Sequence, residues 1–493
     1  RSSDLHRPLQ LLGVAPQGAP QRGQHAGEAA QPAHHAAGDA RSSVADAATA
    51  RDARQAAQQA LLAAGANCVV SFSVLAPGAV KRSPFLDEVF DIGKGRLKHE
   101  LGRLNISIYA ERLLNHAGGQ SLLLAADGAA DALKAALIGL EQSHPLGRLW
   151  DIDVIDGSGK PLSRPQAGLP PRACLCCDAP AKECARVRRH STAQLHEAMQ
   201  QHYRVYLNMV ALGGGMRDAL VAEAELTPKP GLVDAANQGP HPDMTLPMFR
   251  QSATALAPFL AECAFCGSRF AHEAPSPTML AAIRPIGLAA EEAMYAATGK
   301  VNTHKGALFA FGIAAAALGR RMARQEQSDW PALSADIRAI CAGLEPELGQ
   351  GNTAGARFYR QHGLPGARGE ALSGFATLTD FALPAYQQAF AATANRTHAL
   401  RYVFLTLLAH NGDTNVVKRG GIEALDWLQG RARGLLADAA LLRQPEALYA
   451  ALEILDAQCT EKNLSTGGSA DLLALTIWLT EYPNLLGTSY EPT

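Results

Sequence analysis

Two carboxylates stand two residues apart in the segment RLWDIDV, at Asp151 and Asp153. If this segment is a strand, alternate residues share a side, so Trp150, Ile152 and Val154 would face a core and both acids would face outward. Neighbouring carboxylates repel each other, and a bound Mg²⁺ relieves that repulsion. The pattern therefore suits a transfer that releases pyrophosphate, and it equally suits a solvated strand face that carries two acids.

A second candidate group follows the run TPKPG, in which Lys229 lies between two prolines. Because proline does not fit a helix interior, Lys229 is expected on a rigid turn. Asp234, His241 and Asp243 come next and are candidate acid, base or metal-binding groups. The alternative is a surface loop built from Asx turns.

Two further polar clusters stand directly before apolar, helix-like stretches. Asn302 begins the run NTHKG, which places Lys305 in a first helical turn, where its charge opposes the helix dipole. Gly467, Gly468 and Ser469 begin the other stretch. A phosphate at either helix N-terminus would be held by backbone N–H groups. An exposed lysine and a capping serine are the alternatives.

A fourth cluster combines the runs DTN and KRGG. Asp413 and Asn415 are two residues apart and could share a metal ion or a ribose hydroxyl. Arg419 could hold a phosphate through two parallel hydrogen bonds. A connection between helices with capping side chains would have the same composition.

These clusters belong to two patterns of secondary structure. Up to about residue 190 the sequence predicts helices at 45–64 and 129–141 and strands at 69–75, 106–110, 122–126 and 149–155. From about 195 onward apolar residues recur at helical spacing, as at Phe249, Ala253, Leu256 and Leu260. Further helical stretches are 279–297, 304–325, 333–348, 383–394, 398–410, 422–439, 444–458 and 470–480. We expect a multidomain protein in which an α+β domain precedes a larger all-α domain.

Composition narrows the class of protein. The chain has 493 residues, with 45 Lys and Arg against 46 Asp and Glu, and this balance argues against nucleic-acid binding by bulk charge. No apolar run reaches the ~18 residues of a membrane span, so no membrane partner is expected. Residues 1–40 lack an apolar period and are predicted to be disordered.

The nine cysteines are not arranged as a disulfide framework, and no signal peptide is visible, so reduced thiols in the cytoplasm are expected. Cys174, Cys176, Cys177 and Cys184 suggest zinc at first sight, but a C-x-C-C-x6-C spacing does not fit a repeated C-x2-C pair. We interpret them as reduced structural cysteines, with a thiol cluster or weak metal binding as alternatives.

The first half resembles a known family. The run EQSHPLGRLWDID, the later LSR, PPR and CAR, and the strand VVSFSVLAPGAVKRS are similar to apo-citrate lyase phosphoribosyl-dephospho-CoA transferase. The resemblance implies a nucleotidyltransferase-like domain at 41–192 that modifies a serine of the citrate lyase acyl carrier protein and releases pyrophosphate. Asp151 and Asp153 would then bind Mg²⁺, and Arg148, Lys81 and Arg82 would contact phosphate.

The second half resembles triphosphoribosyl-dephospho-CoA synthase through TPKPGLVD, IRPIGLA, NTHKG, DTN with KRGG, and the SxGGSAD run. This resemblance implies an all-helical domain at 200–487 that joins ATP to 3′-dephospho-CoA and releases adenine. Chains that fuse both activities exist in the family. Two departures are Ala235 and Ala236, where relatives carry basic residues, and Thr466, where proline is typical.

The resemblance also implies roles for the clusters. Asp234, Asp243 or Asp413 would accept the proton of the attacking hydroxyl, and His241 or His304 would protonate adenine. Mg²⁺ and a set of side chains and loop residues would hold the substrates. That set comprises Lys229, Asn302, His304, Lys305, Asn415, Arg419, Gly467, Gly468 and Ser469. The alternatives are a malonate decarboxylase carrier as the acceptor, an ATP-binding protein without chemistry, and a fusion with one inactive domain.

Overall fold

A computed structural model describes residues 40–326, 328–350, 354–364 and 366–481. Residues 1–39, which make up nearly all of the segment predicted to be disordered, lie outside the described residues. The chain divides into two compact units between Tyr206 and Leu207. The predicted domain limits, 41–192 and 200–487, place the division slightly earlier and stay a prediction.

Unit 1 is an α/β unit with a small antiparallel sheet. In chain order its elements are β1 (Ala40–Arg41), α1 (Val44–Ala63), β2 (Cys68–Val74), β3 (Val80–Arg82), α2 (Pro84–Arg103), β4 (Ser107–His116), β5 (Gly119–Asp127), α3 (Ala130–Ser143), β6 (Trp150–Asp156) and α4 (Ala181–Arg186). The main sheet has the order β4-β5-β2-β6, and β1 pairs separately with β3. The predicted helices and strands of this region are confirmed.

The two faces of the sheet carry different residues. Asp151 and Asp153 alternate in β6 with the buried Trp150, Ile152 and Val154, as predicted. The register pairs Ser73 with Asp151 and Ser71 with Asp153, so these four polar side chains share the face against which α1 packs. The opposite face is apolar, with Phe72 in contact with the rings of Phe90 and Trp150.

The sequence did not predict helix α2, because three glycines interrupt its apolar pattern. One of them, Gly93, is required by packing. A Cβ at this position would overlap the rings of Phe72 and Trp150. The residue that weakens the local helix preference therefore allows α2 to approach the sheet closely.

Unit 2 is helical. The boundary between the units lies within α5 (Thr192–Glu225). Its other helices are α6 (Leu246–Ser268), α7 (Pro277–Ala297), α8 (Lys305–Ala323), α9 (Trp330–Cys341), α10 (Ala354–His362), α11 (Gly366–Leu372), α12 (Leu383–Thr393), α13 (Arg396–His410), α14 (Thr414–Leu436), α15 (Pro445–Glu461) and α16 (Gly467–Glu481). The helical stretches predicted for this region are confirmed, and Ala253, Leu256 and Leu260 of α6 are fully buried.

Helix α8 is the core helix of unit 2. Among the described residues it is the one helix long and apolar enough to cross a membrane, and 72% of its apolar window is buried inside the protein. A buried core helix of a folded domain has the same length and composition. Its N-terminus carries the NTHKG motif to the middle of the polar clusters.

Candidate active sites

The four polar clusters of unit 2 surround one cavity of about 430 Å³. Three helix N-termini open onto it. Gly306 lies at the start of α8, Asn415 at the start of α14, and Gly467 and Gly468 at the start of α16. The positive ends of three helix dipoles give such a site a preference for anions.

Four carboxylates also line this cavity: Glu223, Glu370, Asp413 and Asp471. Burial raises the pKa of each carboxyl above its ordinary value. The pKa of Asp471 is raised well above that value, because burial is reinforced by the nearby charges of Asp413 and Glu223. Clustered acids at anion-binding helix ends favour a site that takes a phosphate together with a cation.

Lys229 was predicted as a phosphate contact on a turn, and the structure places it in the cavity wall with 1% of its surface exposed. Its Nζ lies 2.6 Å from Oε1 of Glu223. The turn is fixed by Asp456 and Asp234. Asp456 accepts a hydrogen bond from the Gly231 N–H (2.9 Å), and Asp234 accepts one from the Lys229 N–H (3.1 Å).

Asp413 connects two of the helix starts. Its Oδ1 accepts from the Asn415 N–H at 2.9 Å, and its Oδ2 accepts from the N–H and Oγ of Ser469 at 2.8 and 3.0 Å. Asn411 in turn donates to the Ser469 Oγ at 3.1 Å. This network orders the beginnings of α14 and α16, so Asp413 and Ser469 have a positioning role in the cavity.

His304 lies at the end of a hydroxyl chain. Thr303 Oγ1 donates to Ser252 Oγ at 2.7 Å, and Ser252 Oγ lies 2.8 Å from His304 Nδ1. Because Ser252 Oγ accepts a hydrogen bond from Thr303, its own hydrogen can be donated to Nδ1 of His304. Nδ1 is then the acceptor, and the ring hydrogen of His304 lies on Nε2. This buried Nε2 has no hydrogen-bond partner within the described residues, and His304 lines the cavity. The imidazole is therefore a neutral donor available to a ligand.

The burial of His304 predicts a pH dependence of stability. Desolvation, together with Lys229, lowers the pKa of His304 from 6.5 to about 3. Below pH 6.5 the unfolded chain takes up a proton that the folded protein excludes, so the free energy of unfolding falls as pH decreases. We expect His304→Gln to lessen this fall by up to roughly 1.4 kcal/mol per pH unit. Urea unfolding of the wild-type protein and the variant at pH 7.5 and 5.5 measures this loss of stability. An equal loss of unfolding free energy in both proteins would contradict the prediction.

His241 is also neutral. Arg419 donates from Nη2 to His241 Nδ1 at 3.1 Å, which leaves the hydrogen on Nε2 for Ser465 Oγ, also at 3.1 Å. Burial, and then the charge of Arg419, lower the pKa of His241. His241 and Arg419 both line the cavity, so the structure brings these predicted residues together.

The remaining predicted residues are divided between the cavity wall and its surroundings. Asn302 and Lys305 line the cavity, and Lys305 Nζ lies 2.7 Å from Glu291 Oε2. Asp234 and Asp243 do not line it. Asp234 is buried and accepts from the N–H groups of its own loop, and Asp243 is exposed. Sequence reasoning missed Glu223, Glu370 and Asp471 as site residues.

Gly306 marks a close approach of α8 to Asp471. A Cβ at Gly306 would overlap the Asp471 carboxylate. We expect Gly306→Ala to displace that carboxylate and lower turnover at this cavity by ~10²-fold. Gly430→Ala is the matched control, because this helical glycine of α14 has open space around it. Steady-state kinetics of both variants measure the effect, and equal turnover in the two would refute the prediction.

Unit 1 contains a second cavity, of about 370 Å³, on the α1 side of the sheet. Its lining includes Arg51 and Arg54 of α1, Ser73 of β2, and Lys81. Ser73 pairs with Asp151, and Arg54 is one of the cations that act to lower the pKa of Asp151. Desolvation and the neighbouring Asp153 have the larger effect and raise that pKa, although the Asp151 side chain is exposed. The two aspartates and the two arginines therefore lie on the same side of the sheet, the side against which α1 packs.

The three basic residues predicted to contact phosphate have different surroundings. Lys81 lines the cavity, where its Nζ donates to the Ala76 carbonyl oxygen. Arg82 forms a two-bond ion pair with Asp87 at 2.7 and 3.0 Å. Arg148 donates to the carbonyl oxygens of Ala173 and Cys174. Arg51 and Arg54 lie in the helix predicted at 45–64, and sequence reasoning did not identify them as site residues.

Comparison with known proteins agrees with this division. Residues 210–489 match the CitG family, ATP:dephospho-CoA triphosphoribosyl transferase, and residues 43–206 match the CitX family, apo-citrate lyase phosphoribosyl-dephospho-CoA transferase. Protein CitXG of Haemophilus influenzae is 39% identical over 88% of this chain and 95% of its own length. The 2-(5''-triphosphoribosyl)-3'-dephosphocoenzyme-A synthases of Haemophilus ducreyi and Pectobacterium atrosepticum are 41% and 43% identical, over 61% and 59% of this chain and 98% and 96% of theirs.

The chain belongs to the ATP:dephospho-CoA triphosphoribosyl transferase family and carries, ahead of that domain, a domain of the apo-citrate lyase phosphoribosyl-dephospho-CoA transferase family. It is a fusion of two transferases. The order of the two family matches is the order of the α/β and helical units.

Proposed function

We propose that unit 2 joins ATP to 3′-dephospho-CoA with release of adenine, and that unit 1 attaches the resulting phosphoribosyl-dephospho-CoA group to a serine of the citrate lyase acyl carrier protein, releasing pyrophosphate. The observation that carries the first half is the single cavity where anion-binding helix ends, carboxylates and a neutral histidine meet. The family matches support both halves. Reduced cysteines are consistent with our expectation of a cytoplasmic enzyme.

In unit 2 the 2′-hydroxyl of dephospho-CoA would attack C1 of the ATP ribose as the bond from C1 to adenine breaks. A carboxylate must accept the hydroxyl proton and stabilise positive charge at C1. We assign this role to Asp471, because its carboxylate lines the cavity directly beside Gly306 at the start of α8. Asp413 is held by three hydrogen bonds, and Asp234 and Asp243 lie off the wall.

His304 is placed to assist the departing adenine. Its Nε2–H can donate a hydrogen bond to a ring nitrogen of adenine as negative charge develops there. Because the pKa of His304 is about 3, the group acts as a neutral donor at neutral pH. The apolar contact with Phe249, at 5.0 Å between ring centroids, holds the imidazole in place.

The carboxylates of this cavity fit Mg²⁺, which prefers oxygen ligands. After burial, the charges of Asp413 and Glu223 raise the pKa of Asp471, as expected where a cation is the natural counterion. Bound beside them, the ion would neutralise part of the triphosphate charge. Lys305, Lys418 and Arg419 would contact the remaining phosphate oxygens.

Unit 1 would act as a nucleotidyltransferase-like domain. Asp151 and Asp153 would hold Mg²⁺, and the cavity residues Arg54 and Lys81 would bind phosphate. The carrier serine would attack the α-phosphate, forming a P–O bond as the bond to pyrophosphate breaks. Lys134 Nζ, 3.7 Å from Asp153 Oδ1, would orient that carboxylate.

Adenine release measured by chromatography tests the first half. Purified protein with ATP, Mg²⁺ and dephospho-CoA should release adenine, and a reaction without dephospho-CoA should not. Subsequent addition of apo-carrier should release pyrophosphate and increase the carrier mass by one phosphoribosyl-dephospho-CoA unit. ATP binding without adenine release would instead favour a nucleotide-binding protein without catalysis. If only a malonate decarboxylase carrier were modified, that carrier and not the citrate lyase carrier would be the acceptor.

A further inference from the structure

Three thiols and an imidazole meet at one point of unit 1. The Sγ atoms of Cys174, Cys177 and Cys184 and a ring nitrogen of His190 all lie within 4.8 Å of one another. Cys177 Sγ is 3.6 Å from Cys184 Sγ and 3.3 Å from His190 Nε2. Tetrahedral zinc with bonds of ~2.3 Å to sulfur and ~2.0 Å to nitrogen holds such atoms ~3.5–3.8 Å apart. The S–S distance of 3.6 Å and the S–N distance of 3.3 Å each lie within about 0.2 Å of this geometry.

The spacing of these residues differs from a repeated C-x2-C pair. Cys174 and Cys177 form one C-x2-C pair, followed by Cys184 and then by His190 six residues further on. Cys176 interrupts the pair and is not one of the four converging groups, and its Sγ lies 3.7 Å from the Gln194 carbonyl oxygen. With Cys176 set aside, the four residues form a C-x2-C…C…H set, in line with the metal-binding alternative that the sequence left open.

The backbone around these side chains is arranged as a closed turn. The Cys174 N–H donates to the Ala179 oxygen at 2.7 Å, and the Ala181 N–H donates to the Arg172 oxygen at 2.8 Å. The short helix α4 then supplies Cys184. These bonds fix the positions from which the four ligands converge.

Little else in this segment can stabilise its fold. Among the described side chains between residues 157 and 198, only Cys174 and Cys184 are buried. A stretch of this length without an apolar core needs another source of stability, and small domains commonly obtain it from a metal ion. A disulfide would use two of the four groups and leave the others without a role.

We propose that Cys174, Cys177, Cys184 and His190 bind one structural Zn²⁺ ion. Four protein ligands leave no open position, so the ion is structural and not catalytic. The imidazole and the thiolates are typical zinc ligands, and this site is separate from the carboxylates proposed to bind Mg²⁺.

The zinc-bound turn also supports the transferase site. Arg172, two residues before Cys174, donates from Nη2 to the carbonyl oxygens of Gly147 and Trp150 at 2.8 and 2.7 Å. Arg148 donates in the other direction, to the oxygens of Ala173 and Cys174 at 2.7 and 2.9 Å. These reciprocal bonds attach the turn to the residues directly before Asp151, so loss of zinc should impair carrier modification and spare adenine release.

Elemental analysis of the full chain, purified without a metal-binding tag, tests the proposal. We expect about one zinc ion per chain, with Cys177→Ser and His190→Ala each reducing it at least several-fold. Cys176→Ser is the matched control and should retain zinc, as should a variant in which His34 and His35 of the N-terminal segment are both changed to alanine.

A second measurement uses the unaltered protein, in case a ligand variant fails to fold. Substitution with Co²⁺ should give the absorption of a tetrahedral thiolate complex, and a mercurial reagent should release zinc in proportion to the thiols it modifies. Absence of bound zinc before and after reconstitution, iron in its place, or a Cys177–Cys184 disulfide in the purified protein would each overturn the proposal.

Discussion

Asp471→Asn should abolish most of the adenine release while carrier modification by unit 1 continues. The amide cannot accept the hydroxyl proton and carries no charge to stabilise the developing cation at C1, so we expect turnover to fall by roughly 10²–10⁴-fold. The substitution is nearly isosteric, which limits its effect on packing. Adenine release is measured with ATP, Mg²⁺ and dephospho-CoA. Carrier modification is measured separately with preformed triphosphoribosyl-dephospho-CoA.

A matched control distinguishes catalysis from helix capping, because Asp471 also accepts a hydrogen bond from the Ala307 N–H at the start of α8. Asp329 has a similar capping role at α9, where its Oδ1 accepts from the Ala332 N–H at 2.9 Å, and its side chain is exposed. Asp329→Asn should leave adenine release unchanged. Full activity in a folded Asp471→Asn variant would remove Asp471 as the base.

Asp153→Asn should impair carrier modification by unit 1 and spare adenine release by unit 2. Carrier modification should fall by at least ~10²-fold, because the loss of one carboxylate weakens Mg²⁺ binding beside Asp151 and leaves the leaving pyrophosphate without its counterion. Adenine release should stay at the wild-type rate, since Asp153 lies in unit 1. Mass spectrometry of the carrier, supplied with preformed triphosphoribosyl-dephospho-CoA, measures the product.

Glu111→Gln is the control for this second prediction. Glu111 is an exposed acid on β4 that is paired with Lys98 at 2.7 Å, much as Asp153 lies near Lys134. Its neutralisation should not change carrier modification. If Asp153→Asn and Glu111→Gln behaved alike, Asp153 would be a solvated strand residue, the alternative that the sequence left open.

The sequence predicted the fold where periodicity is strong. Alternation in β6 fixed which side chains face the core, and helical spacing located α6 and the helices after it. It was less informative where tertiary contacts decide the outcome. The glycines of α2 weaken its helical pattern, yet Gly93 is there because Phe72 and Trp150 leave no room for a side chain.

Part of the candidate site was predicted, because some of its residues belong to loop motifs that are visible in the sequence and others do not. Loop motifs with unusual composition, such as NTHKG and KRGG, drew attention to residues that do line the cavity. Glu223 lies inside the long helix α5, where an acid between alanines has no local signature. The cysteines present a different difficulty. The additional cysteine, Cys176, made the C-x2-C spacing of Cys174 and Cys177 hard to recognise.

The Lys229–Glu223 pair has a consequence for attempts to stabilise this protein. Both side chains are almost fully buried, and removing two charges from water costs much of what their attraction returns. Apolar residues of similar volume often replace such pairs with no loss, or with a gain of ~1–4 kcal/mol in folding free energy. Selection for thermal stability alone would therefore tend to replace this pair. The more stable variant would lack two charged residues that line the cavity. We therefore expect stability and activity to favour different residues at these two positions.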